Sequence, residues 1–130
     1  MIYLDTNICI YFLKGEHPSI RENLLATPPN EIKIPVIVHS ELLFGVQKST
    51  RKKENLRKVR EFLMPFEIVP YTEEMSATYA EMRIGCQKKG KPVGPNDLLI
   101  ATIVKANNAT LATRNTKEFS RIPGLKLATW

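Results

Sequence analysis

Long hydrophobic runs are missing from this 130-residue sequence. No segment approaches the roughly 18 consecutive apolar residues that a membrane-spanning helix needs. The N-terminal segment has no basic region, and the polar residues Asp5, Thr6 and Asn7 interrupt its apolar run, which is not typical of a secretory signal. We therefore expect a cytoplasmic protein that has no membrane partner.

Cysteine and histidine are scarce, with two residues of each. Cys9 and Cys86 form no C-x-x-C motif and lie in apolar helical patterns, which favours buried free thiols in a reducing compartment. His17 and His39 have no paired spacing, and we interpret both as structural or exposed residues. A metal site built from nitrogen or sulfur ligands is therefore not expected.

Aspartate is scarce in a more informative way. Of the 13 acidic residues, only Asp5 and Asp97 are aspartates, and both lie against apolar runs, in IYLDTNI and GPNDLLIA. All the other acids are glutamates. Two short carboxylates beside core segments indicate that their geometry is constrained.

The net charge of the chain is +6. This excess favours a polyanionic partner, although a solvated basic surface explains the charge about as well. Two basic segments, RKKENLRKVR at residues 51–60 and KKGK at residues 88–91, could hold phosphates.

Short apolar segments alternate with helical patterns along the chain. This alternation predicts an α/β fold in one domain over residues 1–130, with a parallel sheet of four or five strands and helices on both faces. Pro35 is expected at the first position of the third helix, and Thr72 is expected to cap the fifth. The expected strands are 2–4, 32–34, 66–69, 110–112 and 126–128, and the expected helices are 5–14, 18–26, 35–49, 50–64, 73–89 and 95–107.

Asp5 directly follows the first expected strand, where α/β sheets bind their ligands. The alternative role is to cap the following helix, and both roles can hold together. Asp97 lies at the start of the 95–107 helix, where it can complement the helix dipole or point into a cleft, with Asn96 competing for the cap.

Glu41 falls between apolar neighbours on the third helix, which predicts a largely desolvated acid that must be paired, protonated or bound to a cation. The alternative is an acid at the exposed edge of the helix. Asn115 and Glu118 follow the 110–112 strand and are near enough to contribute, although a turn asparagine and a surface glutamate explain them equally well.

Asp5, Glu41 and Asp97 together fit one shared acidic cleft. Oxygen ligands without histidine or cysteine suit a hard cation, Mg²⁺ or Mn²⁺. Such ions activate water and stabilise charge on a transferring phosphoryl group. The acids and the basic segments together indicate metal-dependent chemistry on a substrate that carries phosphate groups.

Four segments resemble the ordered blocks of VapC-type PIN domains. They are LDTN at residues 4–7, SELLFG at 40–45, GKPVGPNDLLIA at 90–101 and TRNTKEFSRIPGL at 113–125. The resemblance spans essentially the whole chain, and the order of the blocks makes it specific. It implies a PIN fold and a metal-dependent endoribonuclease that acts as the toxin of a VapBC toxin–antitoxin pair.

In that family the acids matching Asp5, Glu41 and Asp97 hold the metal. Thr6 and Asn7 match polar positions flanking the first acid, where they are expected to orient it or a water molecule.

Many PIN domains carry a fourth aspartate where this chain has Asn115, and Glu118 is a candidate substitute. The resemblance also implies a structured RNA substrate such as tRNA, a VapB-like antitoxin and a homodimer, with DNA contacted only through the antitoxin.

Two other classes of protein compete with this interpretation. Phosphoaspartyl enzymes need either a second aspartate at position 7, which is Asn7, or a mid-chain aspartate, which this chain lacks. A non-catalytic RNA-binding module normally presents aromatic platforms to the bases. The phenylalanines of this chain are expected to lie mostly in the core; they are Phe12, Phe44, Phe62, Phe66 and Phe119.

Overall fold

The computed structural model describes all residues from 1 to 130. Five strands form one parallel sheet in the order β3-β2-β1-β4-β5. The strands are β1 Ile2–Leu4, β2 Ile32–Pro35, β3 Glu67–Val69, β4 Thr110–Thr113 and β5 Lys126–Thr129. The expectation of an α/β fold with a parallel sheet is confirmed.

Seven helices connect the strands. They are α1 Thr6–Lys14, α2 Pro18–Ala26, α3 Val36–Lys48, α4 Lys52–Leu63, α5 Ser76–Lys88, α6 Pro95–Ala106 and α7 Thr116–Phe119, with short 3₁₀ turns at Pro29–Glu31 and Glu73–Met75. None of these helices is both long enough and apolar enough to cross a membrane.

The strand order reverses its direction between β1 and β4. From β1 the chain moves outward through β2 to β3, and from β4 it moves the other way to β5. Since crossovers between parallel strands are right-handed, these opposite directions place the helices on the two faces of the sheet. A crevice therefore opens at the carboxyl ends of β1 and β4, the place where open α/β sheets bind ligands.

The core lies between the central strands and the helices that cover them. Leu4 on β1, Ile34 on β2 and Leu111 on β4 are fully buried. From α6, Ile100 and Ile103 are also fully buried, and truncating either to alanine would cost about 2–5 kcal/mol of stability. This packing fixes α6, and with it Asp97, against the sheet.

Several local expectations were wrong. Pro35 ends β2 with ψ at 140°, so that α3 begins at Val36; the fixed φ of proline suits either place. Thr72 precedes a 3₁₀ turn and makes no side-chain capping bond. Gly94, not Asn96, is the N-cap of α6. The helix α7 was not expected, because four residues are too short to show a helical period.

Candidate active site

Asp5 lies at the crevice between β1 and β4. Its side chain is almost completely buried, with 4% exposed. Oδ1 accepts the backbone N–H of Thr6 at 2.8 Å, and Oδ2 accepts the hydroxyl of Thr113 at 2.8 Å. Burial raises the pKa of Asp5, and these two hydrogen bonds partly oppose the rise. Asp5 therefore caps α1 and also places a carboxylate in the crevice.

Glu41 is linked to Asp5 through Thr6, which hydrogen-bonds to both acids. The Thr6 hydroxyl donates to Glu41 Oε1 at 2.6 Å, which links the first turn of α1 to the middle of α3. Glu41 is half-buried and lines a groove, so the expectation of a largely desolvated side chain was too strong. Asn7 is exposed and lines the same groove.

Asp97 is the third residue of α6 and is half-buried. Burial is the main cause that raises its pKa to about 7, and the negative charges of Asp5 and Glu118 add to this effect. Asp97 therefore shares its electrostatic environment with the acids that follow β1 and β4. In the metal-free protein, its proton is held until about neutral pH.

Glu118 is held by two neutral donors. Its Oε1 accepts the backbone N–H of Gly94 at 2.8 Å, and its Oε2 accepts the side-chain amide of Asn115 at 2.8 Å. These bonds lower the pKa of Glu118, with the Gly94 bond the largest cause. A Cβ at Gly94 would lie 3.5 Å from Glu118 Oε1 and 3.9 Å from Asp97 Oδ2, so an oxygen of each acid lies close to Gly94.

Glu118, from the segment at residues 113–125, thus joins the three acids Asp5, Glu41 and Asp97. We call these four residues the acidic cluster. Asn115 lies behind Glu118 as its support. Sequence reasoning missed two contributors, the hydroxyl of Thr113 and the backbone N–H of Gly94. A polar residue at the very end of β4 was the one signal that could have indicated Thr113.

The acidic cluster offers only oxygen donors, the set that a hard divalent cation prefers. No three histidine, cysteine, aspartate or glutamate side chains stand together closely enough to hold a metal ion as they are. Besides burial, which is the main cause, the negative charges of Asp5, Glu118 and Glu41 raise the pKa of Asp97, and a divalent cation would offset their repulsion. The residues therefore fit such an ion in chemistry, although their side chains are not drawn together around one point.

Comparison with known proteins gives a consistent family. A family model described as "PIN domain" matches residues 2–125. "Ribonuclease VapC2" of Rickettsia felis is 46% identical over 132 aligned positions, which cover 100% of this chain and 98% of the relative. "tRNA(fMet)-specific endonuclease VapC" of Salmonella typhimurium is 33% identical over 98% of this chain and 96% of the relative.

Solved structures lead to the same group. In the structure of VapBC2 from Rickettsia felis bound to a promoter DNA fragment, one chain superposes with a TM-score of 0.92 and 45% identity, covering 100% of this chain and 99% of that one. One chain of DNA-bound VapBC from Salmonella typhimurium superposes with a TM-score of 0.91 and 32% identity, covering 98% of this chain and 96% of that one.

Proposed function

This chain belongs to the PIN-domain family, and we propose that it is a divalent-metal-dependent endoribonuclease, the toxin of a type II toxin–antitoxin pair. The observation that carries this proposal is the acidic cluster at the carboxyl ends of β1 and β4, in a chain whose net charge is +6. Full-length identity of 46% to a relative named as a ribonuclease supports it.

Asp5, Glu41 and Asp97 are the residues that would hold the cation, with Glu118 as a further oxygen donor. When bound, Mg²⁺ or Mn²⁺ lowers the pKa of a water molecule and stabilises negative charge on a phosphate. Asp97 must give up its proton before its carboxylate can serve as a ligand. In the metal-free protein burial and the neighbouring acids raise the pKa of Asp97 to about 7, so a cation competes with this proton for the carboxylate.

The remaining polar groups keep the acids in place. Thr113 and the Thr6 N–H fix the two oxygens of Asp5, while the Thr6 hydroxyl fixes Glu41. Asn115 fixes Glu118 from behind. These donors hold the carboxylates in place before the reaction begins. The free-energy cost of ordering the side chains during the reaction is therefore lower.

The substrate is RNA, and a structured RNA such as tRNA is the best-supported class. A relative named as a tRNA(fMet)-specific endonuclease is 33% identical to this chain over 98% of its length. Nothing in the cluster itself selects a base sequence, since carboxylates and a cation act on the phosphodiester that all RNA shares.

The protein partner is a VapB-like antitoxin, because the solved relatives are VapBC complexes. The chain acts as a homodimer in the cytoplasm, and it contacts DNA only through the antitoxin. Both of the solved VapBC complexes described above are bound to DNA. Free ribonuclease would degrade the RNA of its own cell, so a dedicated inhibitor has a physical reason to exist.

The test is to incubate the purified chain with total tRNA in Mg²⁺, Mn²⁺ or EDTA and to map the new RNA ends. Discrete ends that need a divalent ion are expected. RNA binding without cleavage in either metal would instead favour a non-catalytic RNA-binding module.

Co-expression tests the partner separately. Growth arrest is expected with this chain alone and not when it is produced with its neighbouring open reading frame. Harmless expression of active enzyme without any partner would indicate a housekeeping PIN nuclease.

A further inference from the structure

Charge is divided unevenly along the chain. Residues 82–130 contain nine lysines and arginines but only two acids, Asp97 and Glu118. Both of these acids belong to the acidic cluster. Residues 1–81 contain ten lysines and arginines and eleven acids, so their charges nearly cancel. The excess of positive charge therefore lies in the part of the chain that forms the second half of α5, together with α6, β4, α7 and β5.

The two basic segments of the sequence differ in how their charges are compensated. In the segment 51–60, three of the cations lie within 3.1–3.7 Å of a carboxylate oxygen of Glu54 or Glu61. The segment KKGK at 88–91 has no acid close to it in the sequence, and no lysine or arginine among residues 82–130 forms a salt bridge. The charges of this second segment are therefore free to bind an anion.

The end of α5 fixes the position of the KKGK lysines. Gly90 has a left-handed φ of 64°, the N–H of Gly90 donates to the carbonyl of Gln87, and the N–H of Lys91 donates to the carbonyl of Cys86, both at 3.0 Å. This pattern is a Schellman motif, which turns the chain sharply at the end of a helix. Lysines in the last turn of α5 also complement the helix dipole, but that role does not explain an exposed lysine beyond the turn, which is Lys91.

The loop that follows is attached to the acidic cluster. The N–H of Gly94 donates to Glu118 Oε1 at 2.8 Å, and the guanidinium of Arg121 donates to the carbonyl of Pro92 at 3.2 Å. Three residues of chain span at most about 10 Å, so the backbone of Lys91 lies within that distance of Gly94. The loop between α5 and α6 therefore carries its lysines close to the acids.

The segment around α7 places further cations beside the same acid. Lys117 directly precedes Glu118 and is exposed, and the backbone N–H of Arg121 donates to the carbonyl of Glu118 at 3.1 Å. The two groups of cations thus come from different parts of the chain and meet where Gly94 contacts Glu118.

Lysine and arginine side chains that bind phosphates supply most of the affinity for nucleic acids, and they position the backbone without selecting a sequence. We propose that five cations, which we call the basic rim, hold the phosphate backbone of the substrate RNA beside the acidic cluster. They are Lys88, Lys89, Lys91, Lys117 and Arg121. This inference rests on the proposed ribonuclease function and adds to it the surface that binds the RNA.

The acidic cluster itself gives a physical reason for such a rim. Four carboxylates repel a polyanion, so an RNA backbone needs compensating positive charge close to the bond that is cut. The basic rim supplies this charge from both sides of the contact between Gly94 and Glu118. An RNA that touches both groups of cations therefore lies next to Glu118.

The test uses the full chain and three double variants. Lys89→Gln/Lys91→Gln removes two charges from the rim, and Lys89→Arg/Lys91→Arg keeps them. Lys105→Gln/Lys126→Gln is the control, because both of these lysines are exposed and belong to the same basic part of the chain, but lie at the opposite edge of the sheet, near the end of α6 and at the start of β5. Thermal melts establish that every variant is folded.

Cleavage of total tRNA in Mg²⁺ gives KM and kcat, and binding of a fluorescein-labelled RNA stem-loop is measured in EDTA, where no cleavage is expected. For the glutamine variant of the rim we expect KM to rise about tenfold with little change in kcat, since the lost contacts bind the ground state and the transition state equally. The slope of log affinity against log salt should become shallower by about 1.5, which is roughly 0.7–0.9 for each of two lost phosphate contacts. The arginine variant and the control should keep the KM and the salt slope of the wild type.

Equal KM values and equal salt slopes in the glutamine variant and the control would overturn the inference. If the glutamine variant cleaved tRNA normally but escaped inhibition by the co-produced antitoxin, the rim would bind a protein partner and the inference would be wrong. Failure of the wild type to cleave any RNA would contradict the proposed function. In that case the binding measurement would still decide whether the basic rim holds RNA.

Discussion

Replacing Asp97 with asparagine should make the metal-free protein more stable at alkaline pH. Asp97 is half-buried, and burial, followed by the negative charges of Asp5, Glu118 and Glu41, raises its pKa to about 7. Asparagine has nearly the same shape but no charge. Above neutral pH, Asp97→Asn therefore removes a charge that the folded state holds at a cost.

The magnitude follows from the change in pKa. The difference between the ordinary value of 3.8 and about 7 corresponds to about 4 kcal/mol at full effect. Since Asp97 is only half-buried, solvent screening reduces this to about 1–2 kcal/mol. For a chain of this size, the gain amounts to a rise in Tm of roughly 3–8 °C.

The pH dependence has a definite sign. An acid with a raised pKa binds more protons in the folded state than in the unfolded state between pH 3.8 and about 7. The free energy of unfolding of the wild type therefore falls as pH rises through this window. The advantage of Asp97→Asn should be absent near pH 4 and complete near pH 8.

The assay is thermal melting in EDTA from pH 4 to pH 8.5, repeated with saturating Mg²⁺. Glu31→Gln is the control, because Glu31 is an exposed acid at the amino end of β2, away from the cluster. Mg²⁺ should stabilise the wild type and the control but not Asp97→Asn, because in the proposed site the ion would bind the native state through this acid. A variant that is less stable than the wild type in EDTA at pH 8 would refute the reasoning.

Four further outcomes are expected from substitutions in the acidic cluster. Glu41→Gln should leave the metal-free Tm unchanged or higher and weaken its rise with Mg²⁺; an unchanged rise would exclude Glu41 as a ligand. Asp5→Asn should keep the cap of α1 yet abolish tRNA cleavage, and activity within twofold of wild type would rule out a ligand role. Thr113→Val should lower the free energy of unfolding by about 1–3 kcal/mol in chemical denaturation, because it leaves a buried oxygen of Asp5 without its donor, whereas Thr113→Ser should not. Glu118→Ala should reduce the cleavage rate more than Asn115→Ala does, and equal inactivity would show that this ranking is wrong.

The elements of the fold were largely predictable because the sequence marks them locally. The 18–26 helix and the 2–4 strand agree with the structure residue for residue. Predicted boundaries were wrong where one residue suits two structures, as Pro35 does. The helix α7 was not predicted, because it is a single turn. The strand order could not be read from the chain, because it depends on which strands meet in space.

The members of the acidic cluster could be predicted from the sequence, but the groups that donate hydrogen bonds to them could not. Asp5 and Asp97 are marked by their apolar surroundings, and Glu41 by its helical neighbours. The N–H of Gly94 reaches Glu118 across 24 positions of the chain, which no local pattern reveals. The expectation that Phe44 lies in the core was wrong, because 64% of it is exposed. It was misjudged for a related reason, since the buried face of α3 is decided by α1, α4 and α6 packing against it.

The central claim is that the acidic cluster uses a divalent cation to cut RNA. The most direct test is the single-turnover rate of tRNA cleavage as a function of Mg²⁺ concentration, for the wild type and Asp97→Asn at pH 8. We expect a saturable dependence on Mg²⁺ in the wild type, no cleavage in EDTA, and a rate at least about a hundredfold lower in the variant, as is common when one charge-stabilising group is removed. Cleavage of equal rate in EDTA and Mg²⁺, or in the two proteins, would contradict the claim.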